Sequence, residues 1–519
     1  MNIGYHLTQA GLWYPDRIAL IHGQTRLTFR ETLALANRMA NALLGLGLKK
    51  GERVALLSPN RHQLTIAEYG VLKAGLVVVP LNARLSTGEL VHMLNNSEAA
   101  ALILGREFVE AIEASRHEIE TVRHFVAMSD TPPSMLDFDT LLDQASPEEP
   151  DVQVEMDDLA RLNYTSGTTG KLKAAMLTHR NRLCLARKHL FVEGMDLTRD
   201  SVMCHVAPVT HASGGMILPI WWRGGRNLLL PGFELELLCR TIENEKVTHL
   251  FLVPTMINYL MAYPERERYD LSSIRTIVYG ASPMPSQRIR QALEIFGPVL
   301  IQGYGQTETS SGFIYLTKED HRFDGDPEKE KRLKSAGRPL PEVEVRVVDE
   351  DGRDVEPGQV GEIIERGDDS MLGYWKDPEM TRETVRDGWI YTRDMAMVDE
   401  SGYIYIVDRK SDMIISGGFN IYPSEVEQVL YQHPAVFEAA VVAVPDEEWG
   451  ESVKAVVVLR PGHNVGEEQI VQFCKDRLAS FKKPRSVDFV DELPKNPYGK
   501  VLRRKIKEKY WDARDRMVH

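Results

Sequence analysis

The run Tyr164-Thr165-Ser166-Gly167-Thr168-Thr169-Gly170-Lys171-Leu172-Lys173 gathers hydroxyls, flexible backbone and two cations in one short stretch. Glycine lacks a Cβ and tolerates positive φ, so Gly167 and Gly170 let backbone N–H groups approach phosphate oxygens. Thr165, Ser166, Thr168 and Thr169 add rotatable donors, and Lys171 or Lys173 adds charge. This composition suits the grip of a polyphosphate, ATP first among them. The order is not that of a Walker loop, G-x-x-x-x-G-K-[ST]. Thr165 stands at the first glycine position, and Leu172 follows Lys171 where a magnesium-binding hydroxyl belongs.

Four more clusters follow in chain order: Gln302-Gly303-Tyr304-Gly305-Gln306-Thr307-Glu308, Gly388-Trp389-Ile390-Tyr391-Thr392-Arg393-Asp394, Asp408-Arg409-Lys410 and Pro497-Tyr498-Gly499-Lys500. With them the whole chain resembles the adenylate-forming (AMP-binding) superfamily, in its acyl- and aryl-CoA synthetase branch. The resemblance implies an ATP-dependent carboxylic acid:CoA ligase that forms acyl-AMP and pyrophosphate, then passes the acyl group to the CoA thiol. A carboxylate oxygen is a poor leaving group, and joining it to AMP makes it a good one. Charge builds up on the α-phosphate in that step, so fixed cations and donors are the natural catalysts.

The resemblance also assigns residues. Thr165 to Gly170 and Lys173 would hold the β- and γ-phosphates. Gly280, Ala281, Ser282, Gln302, Gly303, Gly305 and Ile406 would line the nucleotide, and Tyr304 would stack on adenine. Thr307 would bond the α-phosphate, Glu308 would ligate Mg²⁺, and Asp394 with Arg409 would bind the ribose. Lys500 would reach both the carboxylate and the α-phosphate. The acyl pocket would comprise Val209, His211 as a gate with a catalytic part, Ala212, Ser213, Tyr279, Gly303, Ser311 and Gly312. Ser411 would be the hinge about which a small C-terminal domain turns. CoA would then meet Ser416, Gly417, Gly418, Phe419, Trp449, Phe481, Lys483 and Arg485.

Three departures from the family pattern stand out. Leu172 and Ala174 replace proline and glycine at the end of the phosphate loop, Arg393 replaces the glycine before Asp394, and Ser411 lacks the hinge's usual charge. Ala212 stands where amino-acid-activating relatives carry aspartate, which disfavours an amino acid. With Ser213, Ser311 and Gly312 also small, and Arg223 the one cation near in sequence, the pocket suits a medium-chain, alicyclic or aryl acid. An adenylating enzyme that loads a carrier protein, or a nucleotide-binding regulator without catalysis, are the alternatives.

The elements needed to position these residues are legible as patterns. From about residue 50 to 310, β-branched runs (Arg53–Leu57, Leu76–Val79, His249–Val253, Thr276–Tyr279, Val299–Gln302) alternate with helical stretches such as Leu64–Ala74 and Ser286–Phe296. Such alternation favours parallel sheets covered by helices. Strands joined by glycine turns follow (Glu342–Val348, Gly361–Glu365, Tyr403–Val407), a barrel-like portion. The polar run Asp408–Asp412 reads as a linker and Lys318–Lys334 as a solvated loop. The expected fold is α/β: residues 1–410 form a large N-terminal AMP-binding domain with the acyl pocket, and 411–519 a small mobile α+β domain carrying Lys500. The latter holds strands Ala439–Val444 and Val453–Leu459 and helices Ser424–Tyr431 and Glu467–Ala479.

A chain of 519 residues favours more than one core. A net charge of −13 argues against general nucleic-acid binding. Cys184, Cys204, Cys239 and Cys474 lie too far apart for a zinc knuckle or disulfide framework. The N-terminus carries no signal-peptide pattern, and Val71–Leu81 is too short to span a bilayer. The expectation is a cytoplasmic enzyme with small-molecule partners (a carboxylic acid, ATP, Mg²⁺ and CoA) and no stable membrane insertion, a homodimer being one admissible assembly.

Overall fold

A computed structural model describes residues 2–166, 172–322, 325–410, 412–416, 419–446, 448–495 and 501–511, with the backbone alone at Ser166. Its architecture is α/β, with a large N-terminal domain and a small C-terminal one. Two largely parallel sheets form the bulk of the N-terminal domain. In one, the strands Arg53–Leu57, Val77–Leu81 and Ala99–Leu104 pair in parallel. They consist almost wholly of buried aliphatic residues, as expected where helices cover both faces. In the other, His249–Leu252, Thr276–Gly280 and Leu300–Gln306 run parallel, and Ser311–Leu316 turns back antiparallel against the last. That turn brings Thr307 and Glu308 to the edge of the sheet.

A third, antiparallel and partly curled sheet contains Val343–Val348, Gly361–Gly367, Trp389–Val398 and Ile404–Arg409. The register pairs Asp394 with Arg409. The last sheet contains Ile414–Ser416, Phe419–Ile421, Val436–Asp446, Gly450–Leu459 and Ser486–Phe489, packed against the helices Pro423–Leu430 and Glu467–Lys475. The four cysteines are buried free thiols. Among the described residues no helix is long and apolar enough to cross a membrane.

Two readings of polar segments need correction. Lys318–Lys334 is solvated over much of its length, as expected, but it is neither all loop nor all exposed. Asp320 and His321 are buried, Asp320 accepting a hydrogen bond from the Tyr403 hydroxyl at 2.5 Å, and Pro327–Arg332 is helical ahead of the buried Leu333. Nor are Asp408 and Arg409 linker residues. They end the strand Ile404–Arg409, and their charges have partners inside the protein.

Candidate active site

Two antiparallel strands, Leu159–Ser166 and Leu172–Thr178, flank the phosphate-loop segment, with Thr165 opposite Lys173 and Ser166 opposite Leu172. Gly167, Thr168, Thr169, Gly170 and Lys171 lie outside the described residues, as do Ser411, Gly417, Gly418 and Lys500. Ala174 accepts the buried methyl group where the family has glycine, and its carbonyl accepts from Trp375 N–H at 2.8 Å.

Lys173 points from its strand to Tyr374. Its ammonium stands 4.6 Å over the ring and 3.4 Å from the hydroxyl. That hydroxyl donates to Glu308 Oε1 at 2.5 Å, and the Met371 N–H donates to the Glu308 carbonyl at 2.8 Å. Burial lowers the Lys173 pKa, with Glu308 opposing the shift. Burial and the neighbouring Glu308 carboxylate raise that of Tyr374. Tyr374 is a site residue the motif reading did not single out. Its sequence signal is the turn Leu372-Gly373-Tyr374-Trp375, where Gly373 takes φ +144°.

The ribose candidate Asp394 is 5% exposed and held from three sides. Tyr304 Oη donates to its Oδ2 at 2.7 Å, Gln306 Nε2 donates at 2.6 Å, and Arg409 Nε stands 3.2 Å from Oδ1. Burial works against the Arg409 charge, but Asp394 and Asp412 outweigh it and raise the pKa. Tyr304 also meets Phe313 edge-on at 5.4 Å, and Ile406 packs in the same cluster. Arg393 adopts φ +61°, a region that favours glycine, which accounts for the family's glycine there. Its guanidinium is tied to Glu383 at 2.8 Å and its N–H to Glu362 at 3.0 Å. Ala281, between Gly280 and Ser282, is likewise left-handed at φ +67°.

Beneath the site lies a buried ion cluster with no motif in the sequence. Lys188 pairs with Asp369, both fully buried, and Glu365 is buried beside them. Burial, followed by the Asp369 charge, pushes the Glu365 carboxyl up to about 9. The Asp369 carbonyl accepts the Ser310 hydroxyl at 2.8 Å. The strap 367–375 therefore holds both Ser310 and Glu308.

Of the small acyl candidates, Ala212 follows His211 in the chain, and Ser311 and Gly312 open the strand Ser311–Leu316. The His211 Nδ1 is 2.9 Å from the Thr210 hydroxyl, whose carbonyl accepts from Arg161 at 2.6 Å. Burial, then the Arg161 charge, pushes the His211 pKa down to about 3, so its imidazole is neutral. Three of the acyl candidates are buried side chains. Val209 is sealed in the core that contains Trp221. Tyr279 is fully buried, with its hydroxyl spent on Gln302 at 3.0 Å and His321 at 2.9 Å. The Ser213 hydroxyl is spent on His205 Nδ1 at 2.8 Å.

In the C-terminal domain, Ser416 pairs in register with both Phe419 and Gly450, which places Phe419 and Trp449 at one end of the sheet. Phe419 stacks on Phe481 at 4.7 Å, and the Arg485 guanidinium lies over Trp449 at 5.1 Å. Lys483 is half-buried nearby in sequence. Asp408 and Asp412 meet Arg503 at 3.4 and 3.2 Å, and Arg503 also pairs with Glu427 at 2.6 Å.

Residues 8–375 match the family model described as AMP-binding enzyme, and residues 425–500 that described as AMP-binding enzyme C-terminal domain. The chain belongs to the AMP-binding enzyme family. Within this family it is 39% identical over 498 residues to a feruloyl-CoA synthase of Amycolatopsis sp, with 96% of each chain covered. It is 35% identical to a 3-[(3aS,4S,7aS)-7a-methyl-1,5-dioxo-octahydro-1H-inden-4-yl]propanoyl:CoA ligase of Rhodococcus jostii, with 97% of each covered. The crystal structure of the anthranilate CoA ligase AuaEII in complex with anthranoyl-AMP is similar at TM-score 0.90 and 29% identity, covering 98% of this chain and 97% of that one. As an AMP-binding enzyme the chain is an AMP-forming acid–CoA ligase that uses ATP, CoA and a small carboxylic acid.

Proposed function

We propose that this ligase activates a medium-chain, alicyclic or aryl acid through an acyl-adenylate and transfers it to CoA in a second half-reaction. The observation that carries this is the convergence of Asp394, Tyr304, Gln306 and Arg409 on one side of the sheet edge and Glu308, Tyr374 and Lys173 on the other.

In the first half-reaction a carboxylate oxygen of the acid attacks the α-phosphorus of ATP, forming the P–O bond as pyrophosphate leaves with its bonding electrons. Asp394 fixes the ribose and Tyr304 the adenine, Lys173 faces the departing phosphates, and Thr307 bonds the α-phosphate. Lys500 adds charge to the carboxylate and α-phosphate. The donor set fits Mg²⁺: Glu308 supplies a single hard carboxylate oriented by Tyr374, and Mg²⁺ ordinarily takes one or two protein carboxylates together with substrate phosphates. When bound, it would neutralise phosphate charge there. In the second half-reaction the CoA sulfur attacks the acyl carbon, AMP leaves, and the thiol proton passes to solvent. His211, being neutral, acts as a wall and hydrogen-bonding gate rather than as a cation for the substrate.

The domain boundary near 410, with turning about Ser411, and the CoA contacts of Ser416, Phe419, Trp449, Phe481, Lys483 and Arg485 are part of the same proposal. The stacked and cation–π pairs of exposed aromatics suit a nucleotide base. The test is pyrophosphate release over a panel of aliphatic, alicyclic and aromatic acids with CoA present, followed by detection of the acyl-CoA. Acid-dependent release with no thioester would replace this reading by carrier loading, and no release with any acid would end it. Lys500→Ala should abolish release and spare thioester formation from pre-made acyl-adenylate.

A further inference from the structure

Tyr315, on the strand Ser311–Leu316, stands opposite Gly303 in register. Its ring fills the space that side chains at two neighbouring glycines would need. A Cβ on Gly303 would meet Tyr315 Cε1 at 3.0 Å, and one on Gly312 would meet the hydroxyl oxygen at 2.5 Å. The ring is 4% exposed within an apolar cluster that includes Met216, Ile220, Val278 and Ile301. Among the described residues its hydroxyl makes no hydrogen bond, yet it is not one of the fully enclosed unpaired polar atoms, so the oxygen opens onto free space while the ring is packed. A tyrosine hydroxyl placed so takes a partner from whatever enters that space.

His189 meets this ring edge-on, with centroids 6.4 Å apart. Its Nδ1 lies 2.9 Å from the Leu185 carbonyl and must carry the proton, which leaves Nε2 as an acceptor. Among the described residues, Nε2 has no partner either. The same ring edge lies 3.9 Å from where a Cβ of Gly215 would stand. A donor and an acceptor are thus open within an otherwise apolar wall beside Gly215, Gly303 and Gly312.

We propose that the Tyr315 hydroxyl and His189 Nε2 form the distal polar contact of the acyl pocket and select acids that carry a hydroxyl or carbonyl oxygen at the end remote from the carboxyl. This rests on the ligase reading above. A phenol or alcohol would donate to Nε2 and accept from Tyr315, a ketone would accept from Tyr315, and an all-carbon tail would leave both unsatisfied. A site built to bond such an oxygen discriminates strongly against the analogue that lacks it.

The experiment compares matched acids, 4-hydroxycinnamate with cinnamate and 4-oxocyclohexanecarboxylate with cyclohexanecarboxylate, in wild type and Tyr315→Phe. The readouts are pyrophosphate release and calorimetric binding in the presence of a non-hydrolysable ATP analogue. The expected result is at least tenfold higher kcat/KM for one or both oxygenated acids in wild type, lost in Y315F with the plain acids unchanged. Release without discrimination, or equal loss for both members of a pair in Y315F, overturns the pocket assignment and keeps the ligase. Discrimination in binding without release keeps the pocket and overturns the ligase. Neither release nor discrimination overturns both. His189→Gln, read the same way, covers the case in which Y315F does not fold.

Discussion

The two faces of the strand Leu300–Gln306 differ in how complete they are. On the Tyr304 face, the Asp394 carboxylate already has three partners, Tyr304, Gln306 and Arg409. On the Gly303 face, Tyr315 and His189 present polar atoms that no described residue satisfies. ATP is the same in every turnover, so its donors can be fixed in advance and cost no reorganisation when it binds. The acid is what distinguishes one ligase from another, and its pocket is completed by the ligand.

The largest perturbation acts on both faces together. Lys188→Met leaves the Asp369 carboxylate buried without its cation and should cost about 3–5 kcal/mol. Through Ser310 and Glu308 it should weaken ATP and acid alike. Urea titration and both KM values check this, and a loss confined to one substrate would separate the foundations of the two faces. Asp394→Ala should sharpen the contrast. It leaves Arg409 without its buried partner and should lower kcat/KM for ATP roughly 100-fold, about 3 kcal/mol, while acid affinity changes less than about threefold.

Glu365→Gln tests the shared foundation through pH. The folded protein keeps Glu365 protonated up to about 9, whereas the unfolded chain releases that proton near 4.3. The fold therefore binds more protons across this window, and its stability falls as pH rises through it, by up to about 1.4 kcal/mol per unit. The variant should gain on wild type from pH 5 to pH 9 in thermal melts, and a constant difference would show that the carboxyl is ionised. Tyr374→Phe removes one donor to Glu308 and should slow pyrophosphate release about three- to tenfold, about 1 kcal/mol, with a raised magnesium requirement. An unchanged metal titration would count against Glu308 as a ligand. Arg393→Gly relieves a left-handed arginine but frees the unfolded chain, and should shift stability by less than about 1 kcal/mol.

The residues proposed for the nucleotide fall in short contiguous motifs, so their mutual placement was the easiest to anticipate. Asp394 and Arg409 sit in two such motifs, and strand register makes them neighbours. The aliphatic strands announced themselves as well, the helix Ser286–Phe296 to the residue. Tyr315 and His189 carried no such signal, since their relation exists only once a strand and a helix are packed. The run Asp408–Asp412 looked like a linker because polar residues usually face water. Here Asp408 is 6% exposed and spends its charge on Arg503. Lys188, Glu365 and Asp369 were equally silent, being dispersed charges that meet only in the interior.

The close fit of Tyr315 against Gly303 and Gly312 constrains how this pocket can evolve. A residue larger than glycine at position 312 must push the tyrosine aside, because a Cβ there would stand 2.5 Å from its hydroxyl. Either that shift or a smaller residue at 315 gives up the polar contact before any new shape is gained. The path to a different acid runs through an intermediate with a wider and less selective pocket. A library that fixes Tyr315 would find few viable sequences at the glycines, and one that varies all three positions together would avoid that barrier.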